Sequence, residues 1–304
     1  MASKNELIKN LENIDSEFEP NNEEEINEEA NNDLMLSFSR SNITQTARMA
    51  VLGLDIYKYS EFEEDKQNLI PFIFDLLFDE AIKHTIQSDV SFFQNEIDIR
   101  AKFISTGDGG FILFKTPLHA LVFNLHFYSV LHLFNTGHFF PRLSKYIGNI
   151  IVRSSITFDK VYEYEKNYYG KAIINNARII SKDRLNRFII DRNVYYYFNR
   201  NFNGIESLPI ITIDRIEKVL KIKIESRTAY FYRRDDVGKN IIWIDDPIRN
   251  VHIQKVEEVI SKNTKLELYN IEIQFCAKIG AGSDPTKTTS YILTVGNSNV
   301  NSIE

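Results

Sequence analysis

Apolar and polar positions divide the first part of the chain into alternating strand and helix signals. Residues 49–54 are almost wholly apolar, which predicts a buried strand that ends at Asp55. Residues 62–86 repeat apolar side chains at helical spacing, and Pro71 is expected to mark a kink or the first turn of that helix. A strand, a helix and their connection are therefore expected between residues 47 and 86.

A hairpin is predicted next along the chain. Residues 97–104 alternate between apolar and polar, residues 111–114 are apolar, and Asp108 is followed by glycine between them. An Asp-Gly pair between two strand signals favours a tight turn, because glycine reaches positive φ without strain. The hairpin would hold the Asp108 carboxylate at its tip.

The pattern continues with an apolar helix from Pro117, a strand at 149–157, a tyrosine-rich connection and a helix at about 171–182. The order β-α-β-β-α-β predicts an α+β fold with a ferredoxin-like core.

Periodicity is weaker after Arg187, where mainly strands are expected. Predicted strands lie at 194–198, 210–213, 228–232, 241–244, 266–275 and 291–295, with a helix or strand at 215–223 and a helix near 256–260. We divide the chain into an acidic, disordered leader at 1–43, a main domain at 44–247 and a small, mainly β C-terminal extension or sensor-like module at 248–304.

Composition limits the classes of function. The net charge of −6 provides no basic surplus for binding a nucleic-acid backbone. The single cysteine, Cys276, excludes an internal disulfide and favours a reducing compartment. The first residues lack the apolar core of a signal peptide, so we expect a cytoplasmic protein. Residues 118–134 are uncharged but include one asparagine and three histidines, which favours a buried or interface helix over a membrane span.

The two aspartates carry the candidate chemistry. If the strand that ends at Asp55 lies beside the hairpin, the carboxylates of Asp55 and Asp108 converge. Carboxylate oxygens in that arrangement suit one or two hard divalent cations.

Four segments, in this order, resemble the motifs of class III nucleotidyl cyclases. Residues 54–60 resemble the first metal motif, and residues 102–109 resemble Lys-x-x-x-x-Gly-Asp-Gly. Residues 152–156 lie where that family has an Arg-x-Gly-Ile strand, and residues 169–179 resemble its helix Gly-x-x-Val-Asn-x-Ala-x-Arg-Leu. The likeness covers roughly residues 44–183, and it implies a cyclase-type α+β core.

Departures from these motifs refine the resemblance. Lys58 stands in place of a glycine, and Ile174 stands where the family has asparagine, with Asn175 one residue later. With these departures the chain is most similar to the bacterial pyrimidine cyclases of Pycsar antiphage systems. That group makes a cyclic pyrimidine monophosphate, here from UTP in preference to CTP, which activates a separate effector protein.

The resemblance implies a role for each matching residue. Asp55, Asp108 and the Ile56 carbonyl would bind two divalent cations, Mn²⁺ or Mg²⁺. Backbone N–H groups from Ile56 to Tyr59, including Tyr57, would hold the triphosphate. Arg178 would stabilise charge on the α-phosphoryl oxygens, and Asn175 would hold the ribose.

The base of the nucleotide remains open between pyrimidine and adenine. Lys102 and Asn167 occupy the positions that contact the base in the family, and a lysine suits either a uracil carbonyl or adenine N1. The alternatives are therefore an adenylate cyclase that makes cAMP and a non-catalytic cyclase-fold module that dimerises or senses a ligand.

The family's active sites lie between two subunits, so the resemblance implies a homodimer. A chain that carries both residue sets would form two sites across a two-fold axis. Candidates for the interface are the uncharged helix at 118–134 and a set of tyrosines: Tyr162, Tyr164, Tyr168 and Tyr169.

Overall fold

The computed structural model describes Lys9 and residues 45–297. Within that span it leaves out 89, 95, 97, 165–166, 184, 225–232, 235–240, 243–247, 257, 262–263 and 282–283. Apart from Lys9, the predicted leader at 1–43 lies outside the described residues, and so does the strand predicted at 228–232.

The described helices and strands follow the predicted order through the first half of the chain. The α-helices are α1 (Glu64–Gln67), α2 (Ile70–Ser88), α3 (Val90–Phe93), α4 (Pro117–Asn135), α5 (Pro141–Ile147), α6 (Lys171–Lys182), α7 (Arg192–Phe202) and α8 (Ile213–Leu220). The strands to residue 191 are β1 (Gln45–Ile56), β2 (Phe103–Ser105), β3 (Gly109–Phe114), β4 (Val152–Tyr164), β5 (Asn167–Tyr169) and β6 (Phe188–Asp191). Beyond them lie β7 (Arg233–Arg234), β8 (Ile241–Ile242), β9 (Ile248–Lys255), β10 (Val259–Ser261), β11 (Thr264–Leu266), β12 (Leu268–Ala281) and β13 (Asp284–Val295).

One mixed sheet organises these elements. Its strand order is β13-β12-β6-β4-β1-β3-β2, with β5 paired to β4 and β9 paired to β12. Strand β1 runs antiparallel to β3, and β4 runs parallel to β6. The predicted α+β class is confirmed, and the β-α-β-β-α-β order appears in β1, α2, β2, β3, α4 and β4.

The strands of the C-terminal region join the same sheet through β12. Residues 268–271 of β12 pair antiparallel with β6, and residues 273–281 pair antiparallel with β13. The boundary placed at residue 247 remains a prediction.

Helix α4 lies inside the protein, where it packs beside α2. Aromatic rings from both helices interlock, with Phe74 and Phe127 centroids 5.7 Å apart and Phe78 and Phe123 centroids 5.7 Å apart. Most of its residues are buried around the whole helix, which explains the absence of charge. The prediction of a buried or interface helix is confirmed in its first form, and little of α4 is left for contact with another subunit. Across the described residues, no helix has the length and apolar character that crossing a membrane requires.

Helix α6 is fixed to the sheet by one buried amide. Asn176 is fully buried, and its Nδ2 donates to the Val51 carbonyl of β1 at 2.7 Å and to the Ser155 carbonyl of β4 at 3.2 Å. A Cβ at Gly53 would collide with Asn176 Oδ1 and Ile180 Cδ1, so the glycine allows the helix to approach β1. The same contacts set how α6 lies on the sheet.

Several predictions for the second half of the chain were wrong. Residues 194–198 belong to helix α7, whose first turn is capped by the Asp191 carboxylate accepting from Val194 N–H at 2.9 Å. Residues 205–210 form a 3₁₀ helix, and α8 begins at Ile213 after the Thr212 cap. Short apolar runs rich in Ile, Val and Tyr suit either a strand or an amphipathic helix, and here the capping side chains decide for helix.

Two further elements differ from their predictions. The helix predicted near 256–260 is instead the start of the β10–β11 hairpin, in which Val259 pairs with Leu266. The strand predicted at 97–104 begins only at Phe103, because residues 100–102 form a 3₁₀ turn.

Chain contacts divide the protein into two compact units. Among the described residues, the smaller unit contains 45–48, 160–164 and 167–170, and the larger contains 49–159 and 171–297. In the smaller unit the tyrosine-rich connection is a hairpin, in which Tyr162 pairs with Tyr169 and Tyr164 pairs with Asn167.

Candidate active site

The ends of β1 and the β2–β3 hairpin bring the two aspartates together. Asp55 lies opposite Gly109 in the antiparallel β1–β3 pair, one residue from Asp108. The Ile56 N–H donates to the Asp108 carbonyl at 3.1 Å, which fixes the hairpin tip beside the end of β1. The strand neighbourhood on which the predicted convergence depended is therefore present.

Arg153 of β4 is the counter-ion of Asp55. Its Nε donates to Asp55 Oδ2 at 2.6 Å, and its Nη1 donates to the Asp183 carbonyl. Side-chain exposures of 20% for Arg153 and 17% for Asp55 show that the pair is largely buried but still has access to solvent. Asp183 in turn forms an ion pair with the buried Arg187. The residue that accepts the Arg153 hydrogen bond is therefore itself held in place.

The pKa of Asp55 lies above the ordinary value for an aspartate. Burial is the largest cause, because removing the carboxylate from water disfavours its charged form. Arg153 lowers the pKa, and the nearby charge of Asp108 raises it. Two like charges held close together in a partly dry site favour an added cation.

No described residue donates a hydrogen bond to Asp55 Oδ1. Arg153 therefore occupies one carboxylate oxygen and leaves the other for a ligand. The candidate donor set consists of the Asp55 and Asp108 carboxylates with the Ile56 carbonyl, all hard oxygens of the kind that Mg²⁺ and Mn²⁺ prefer. Within the described part of the chain, no group of three or more His, Cys, Asp and Glu side chains is arranged to hold a metal ion.

The turn after β1 offers fewer backbone donors than the sequence suggested. The Ile56 and Tyr57 N–H groups already donate to the Asp108 and Ile151 carbonyls. The Lys58 and Tyr59 N–H groups make no backbone hydrogen bond to a described residue, so they are the ones left for a phosphate. Lys58 has φ 61°, a left-handed conformation in which glycine is usually preferred, which accounts for the glycine of the related motif.

Lys102 is held by an internal carboxylate. Its Nζ lies 3.0 Å from Oε2 of Glu96, which is buried, while Glu96 Oε1 accepts the Lys115 N–H at 3.1 Å. The ammonium of Lys102 thus has a structural partner. Its predicted contact with a nucleotide base remains a prediction.

Helix α6 turns Asn176 inward and leaves the predicted pair at its surface. Arg178 and Asn175 are half-buried, and neither side chain makes a hydrogen bond or ion pair with a described residue. Ile174, in the place of the family asparagine, is 49% exposed. No contact within the described chain joins Arg178 or Asn175 to the two aspartates.

Asn167 lies in the smaller unit, where it pairs with Tyr164 at the end of the β4–β5 hairpin. Its predicted role at the base remains a prediction.

His119 and His126 of α4 are core residues, as the sequence indicated, and His132 is partly buried. His119 and His126 are buried, and His126 Nδ1 lies 3.0 Å from His84 Nδ1 of α2. Burial lowers the pKa of His126 to about 3 and that of His119 to about 4. Both rings are therefore neutral at physiological pH.

Sequence reasoning gave no function to Arg153 and did not single out Asn176. A charged residue inside the otherwise uncharged run 150–158 was the available signal for Arg153. For Asn176, the signal was helical spacing: Ala172, Asn176 and Ile179 lie on one inward face of α6. This signal can be used only after residues 171–182 have been assigned as a helix.

No protein-family model and no curated protein matches the chain. Solved structures that are similar include an adenylate/guanylate cyclase/hydrolase from Silicibacter pomeroyi, at 14% identity and a TM-score of 0.43 over 75% of this chain and 97% of that one. The adenylyl cyclase CyaB from P. aeruginosa is 10% identical with a TM-score of 0.38, over 75% of this chain and 95% of that one. The guanylate cyclase domain of RhGC from Catenaria anguillulae, solved with GTP, is 11% identical with a TM-score of 0.39, over 75% of this chain and 97% of that one. These identities and TM-scores are too low to transfer an activity to this chain.

Proposed function

We propose that the protein is a metal-dependent nucleotidyl cyclase that converts a pyrimidine nucleoside triphosphate, UTP in preference to CTP, into its 3′,5′-cyclic monophosphate and pyrophosphate. The observation that carries this proposal is that Asp55 and Asp108 lie side by side where β1 ends and β3 begins. Asp55 lies opposite Gly109, and the Asp108 carbonyl is bonded to the next residue of β1. The motif resemblance suggests the reaction, and the two neighbouring carboxylates could bind the cations that this reaction requires.

Asp55, Asp108 and the Ile56 carbonyl would hold the two divalent cations. Bound there, Mg²⁺ or Mn²⁺ would lower the pKa of the ribose 3′-hydroxyl and neutralise the β- and γ-phosphates. Arg153 keeps Asp55 in place through Oδ2 while Oδ1 stays available, so the carboxylate is oriented before a cation arrives.

The remaining residues would bind and orient the nucleotide. The Lys58 and Tyr59 N–H groups face no other backbone partner in the described chain and suit the triphosphate. Arg178 would donate its planar fork to the α-phosphoryl oxygens as the 3′-oxygen attacks and pyrophosphate leaves, and Asn175 would hold the ribose. Lys102 would contact the base only if its ammonium group left Glu96 and donated a hydrogen bond to a base carbonyl instead.

A homodimer would complete the site. Within the described residues of one chain, Arg178 does not meet the two aspartates, so one protomer would supply the metal ligands and its partner would supply α6. The exposed Ile174 beside Asn175 provides an apolar contact on that helix. Two sites would form across the two-fold axis.

By the same resemblance, the cyclic product would serve as a cytoplasmic antiphage signal read by a separate effector. This biological role rests on the Pycsar-like motifs alone. The leader at 1–43, the catalytic domain at 44–247 and a sensor-like segment at 248–304 remain part of the same proposal.

A non-catalytic cyclase-fold module is the second candidate, and one observation favours it. Ile174 replaces the family asparagine and has no polar group to hold the ribose. Such a module would dimerise or bind a nucleotide without turning it over.

Product analysis separates these functions. Purified protein is incubated with ATP, GTP, CTP or UTP and with Mn²⁺ or Mg²⁺, and the products are resolved by chromatography and mass spectrometry. Cyclic UMP is the expected product, and cAMP would instead establish the adenylate cyclase alternative. A dimer that binds nucleotide and forms no cyclic product from any of the four would contradict catalysis and favour the module.

A further inference from the structure

Charge is distributed unevenly between the leader and the rest of the chain. The leader at 1–43 contains 11 acidic and three basic side chains, so its net charge is −8. Since the whole chain carries −6, residues 44–304 carry +2. Seven of the acidic residues fall between Glu17 and Glu29, a stretch without lysine or arginine. A polyanionic segment is thus attached to a part of the chain with a small positive surplus, and opposite charges attract.

Helix α6 has a basic face without acidic partners. Its 12 residues include Lys171, Arg178 and Lys182 and no acidic residue. Together with Ile174, which is 49% exposed, these positions are spaced by three or four residues and lie along one side of the helix. None of the three cations forms an ion pair with a described residue. We call this side the α6 basic face.

Other described helices with two or more basic residues are better compensated. On α7, Arg192 Nε lies 3.6 Å from Glu267 Oε2. On α8, the two basic residues are matched by Asp214 and Glu217. Helix α5 has two basic residues, and its Tyr146 hydroxyl donates to a carboxylate of α1. Among the described helices, α6 therefore has the largest number of basic side chains without an acidic partner.

The α6 basic face is within reach of the acidic stretch at 17–29. Asn176 Nδ2 donates to the Val51 carbonyl at 2.7 Å, which fixes the middle of α6 on β1. The leader ends eight residues before Val51 in the sequence, a distance of at most about 28 Å. A flexible chain between residues 29 and 43 spans roughly 20 Å. A tether of this length gives the acidic stretch a high effective concentration at α6.

We propose that the α6 basic face is the docking site of the acidic stretch at 17–29 of the same chain. Glutamates on both sides of Ile26 match the cations on both sides of Ile174, so the two isoleucines can meet between ion pairs. An exposed ion pair contributes little alone. Docking would therefore depend on several pairs at once and on the covalent tether.

The consequence for nucleotide binding rests on the proposed function. Arg178 is the residue proposed to stabilise charge on the α-phosphoryl oxygens, and a docked carboxylate would occupy the same guanidinium. A nucleoside triphosphate would have to displace the acidic stretch before it could bind Arg178. The leader would then act as an internal competitive inhibitor, which lowers the apparent affinity for the nucleotide by the fraction of undocked protein.

Zero-length cross-linking tests the docking on the full-length protein without turnover. A carbodiimide joins a carboxylate to a lysine where the two groups are in contact, and peptide mass spectrometry identifies the pair. We expect residues 17–29 to be joined to Lys171 or Lys182 at least about fivefold more often than to the exposed control residues Lys218 and Lys221. In about 1 M salt, where the Debye length is about 3 Å, this preference should disappear.

Two results would overturn the docking. One is cross-linking of the acidic stretch to Lys171 and Lys182 that is absent, or no more frequent than cross-linking to the control lysines. The other is cross-linking chiefly between chains, recognised by mixing isotope-labelled and unlabelled protein. That result would assign the α6 basic face to the leader of a second copy.

The competition is measured separately, as the affinity for 3′-deoxy-UTP with Mn²⁺ by calorimetry. The variant Glu23→Gln/Glu24→Gln/Glu25→Gln removes three of the docking charges. We expect it to bind the nucleotide at least about threefold more tightly than wild type, because the docked fraction falls.

The matched control is Glu6→Gln/Glu12→Gln/Asp15→Asn, which removes three leader charges outside the acidic stretch. It should bind 3′-deoxy-UTP as wild type does. Equal affinity in wild type and both variants would refute the competition and leave the docking to the cross-links. Absence of nucleotide binding in all three proteins would contradict the cyclase proposal and the competition together, while the cross-links would still decide the docking.

Discussion

Two polar regions along β1 differ in how well their polar groups are satisfied. At the middle of the strand, Asn176 is fully buried, donates to the Val51 and Ser155 carbonyls and accepts the Ser155 hydroxyl at 2.6 Å. At the end of the strand, Asp55 has one counter-ion, a pKa raised by burial and the like charge of Asp108 beside it.

The difference is the one expected between a structural polar group and a functional one. Buried polar groups that stabilise a fold have their hydrogen bonds satisfied, as Asn176 does. Groups that serve chemistry are often left in locally unfavourable surroundings that a ligand improves, and the raised pKa of Asp55 is of that kind. Substitutions in the first region should therefore cost stability, and substitutions in the second should cost activity.

The largest expected effect is on turnover when Asp55 or Asp108 is replaced. If the proposed cyclase site is right, Asp55→Ala and Asp108→Ala should each lower cyclase activity by about 10³-fold or more, because each would remove a proposed cation ligand. For Asp108→Ala the midpoint of thermal unfolding should change little. The control is Asp214→Ala on α8, measured in the same assay, and equal activities in Asp108→Ala and Asp214→Ala would break the comparison.

The next effect is on folding at the middle of β1. Asn176→Leu should lower the free energy of unfolding by about 3 kcal/mol, because it leaves the Val51 and Ser155 groups buried without partners. Its neighbour Asn175→Leu is the matched control and should change the free energy by less than about 0.5 kcal/mol. Chemical denaturation measures both, and equal losses would show that burial of Asn176 has no special role.

His126 extends the comparison to a buried titratable group, whose contribution to the free energy of unfolding depends on pH. Its pKa is about 3 in the folded protein against an ordinary value of 6.5, so the unfolded chain takes up a proton first as the pH falls. Between pH 7 and pH 5 the wild type should lose up to about 2 kcal/mol more unfolding free energy than His126→Phe. Urea denaturation at both pH values tests this, and a difference that does not vary with pH would show that the ring is not buried as a neutral group.

The smallest effect concerns Lys102, which has a structural ion pair and also a predicted functional role. Lys102→Met should cost about 1–2 kcal/mol, because buried Glu96 loses its counter-ion. Lys115→Met is the control, since only the backbone N–H of Lys115 binds Glu96. If Lys102 also reads the base, competition among the four nucleotides will show altered selectivity in Lys102→Met, and unchanged selectivity limits it to a structural role.

Local sequence patterns predicted most elements of the first half of the fold and the adjacent placement of Asp55 and Asp108. The Asp-Gly turn and the apolar strand before Asp55 are short-range signals, and pairing β1 with β3 was enough to bring them together. The helix predicted at about 171–182 coincides with α6.

The rest depended on information that a local pattern does not contain. Residues 194–198 have strand-like composition, but the Asp191 cap makes them helical. Arg153 reaches Asp55 across 98 positions of the chain, and the Ile151 carbonyl takes an N–H that a phosphate was expected to bind. Such contacts follow from tertiary packing, so they could not be predicted from spacing.

Manganese binding tests the central claim most directly. Mn²⁺ would be titrated into wild type, Asp108→Asn and Asp214→Asn in the presence of 3′-deoxy-UTP, which lacks the attacking hydroxyl, and free Mn²⁺ would be followed by electron paramagnetic resonance. If Asp55 and Asp108 form a metal site, wild type and Asp214→Asn will bind Mn²⁺ equally and Asp108→Asn will bind it at least about tenfold more weakly. Equal Mn²⁺ affinity in all three proteins would contradict the metal site, and with it the proposed cyclase mechanism.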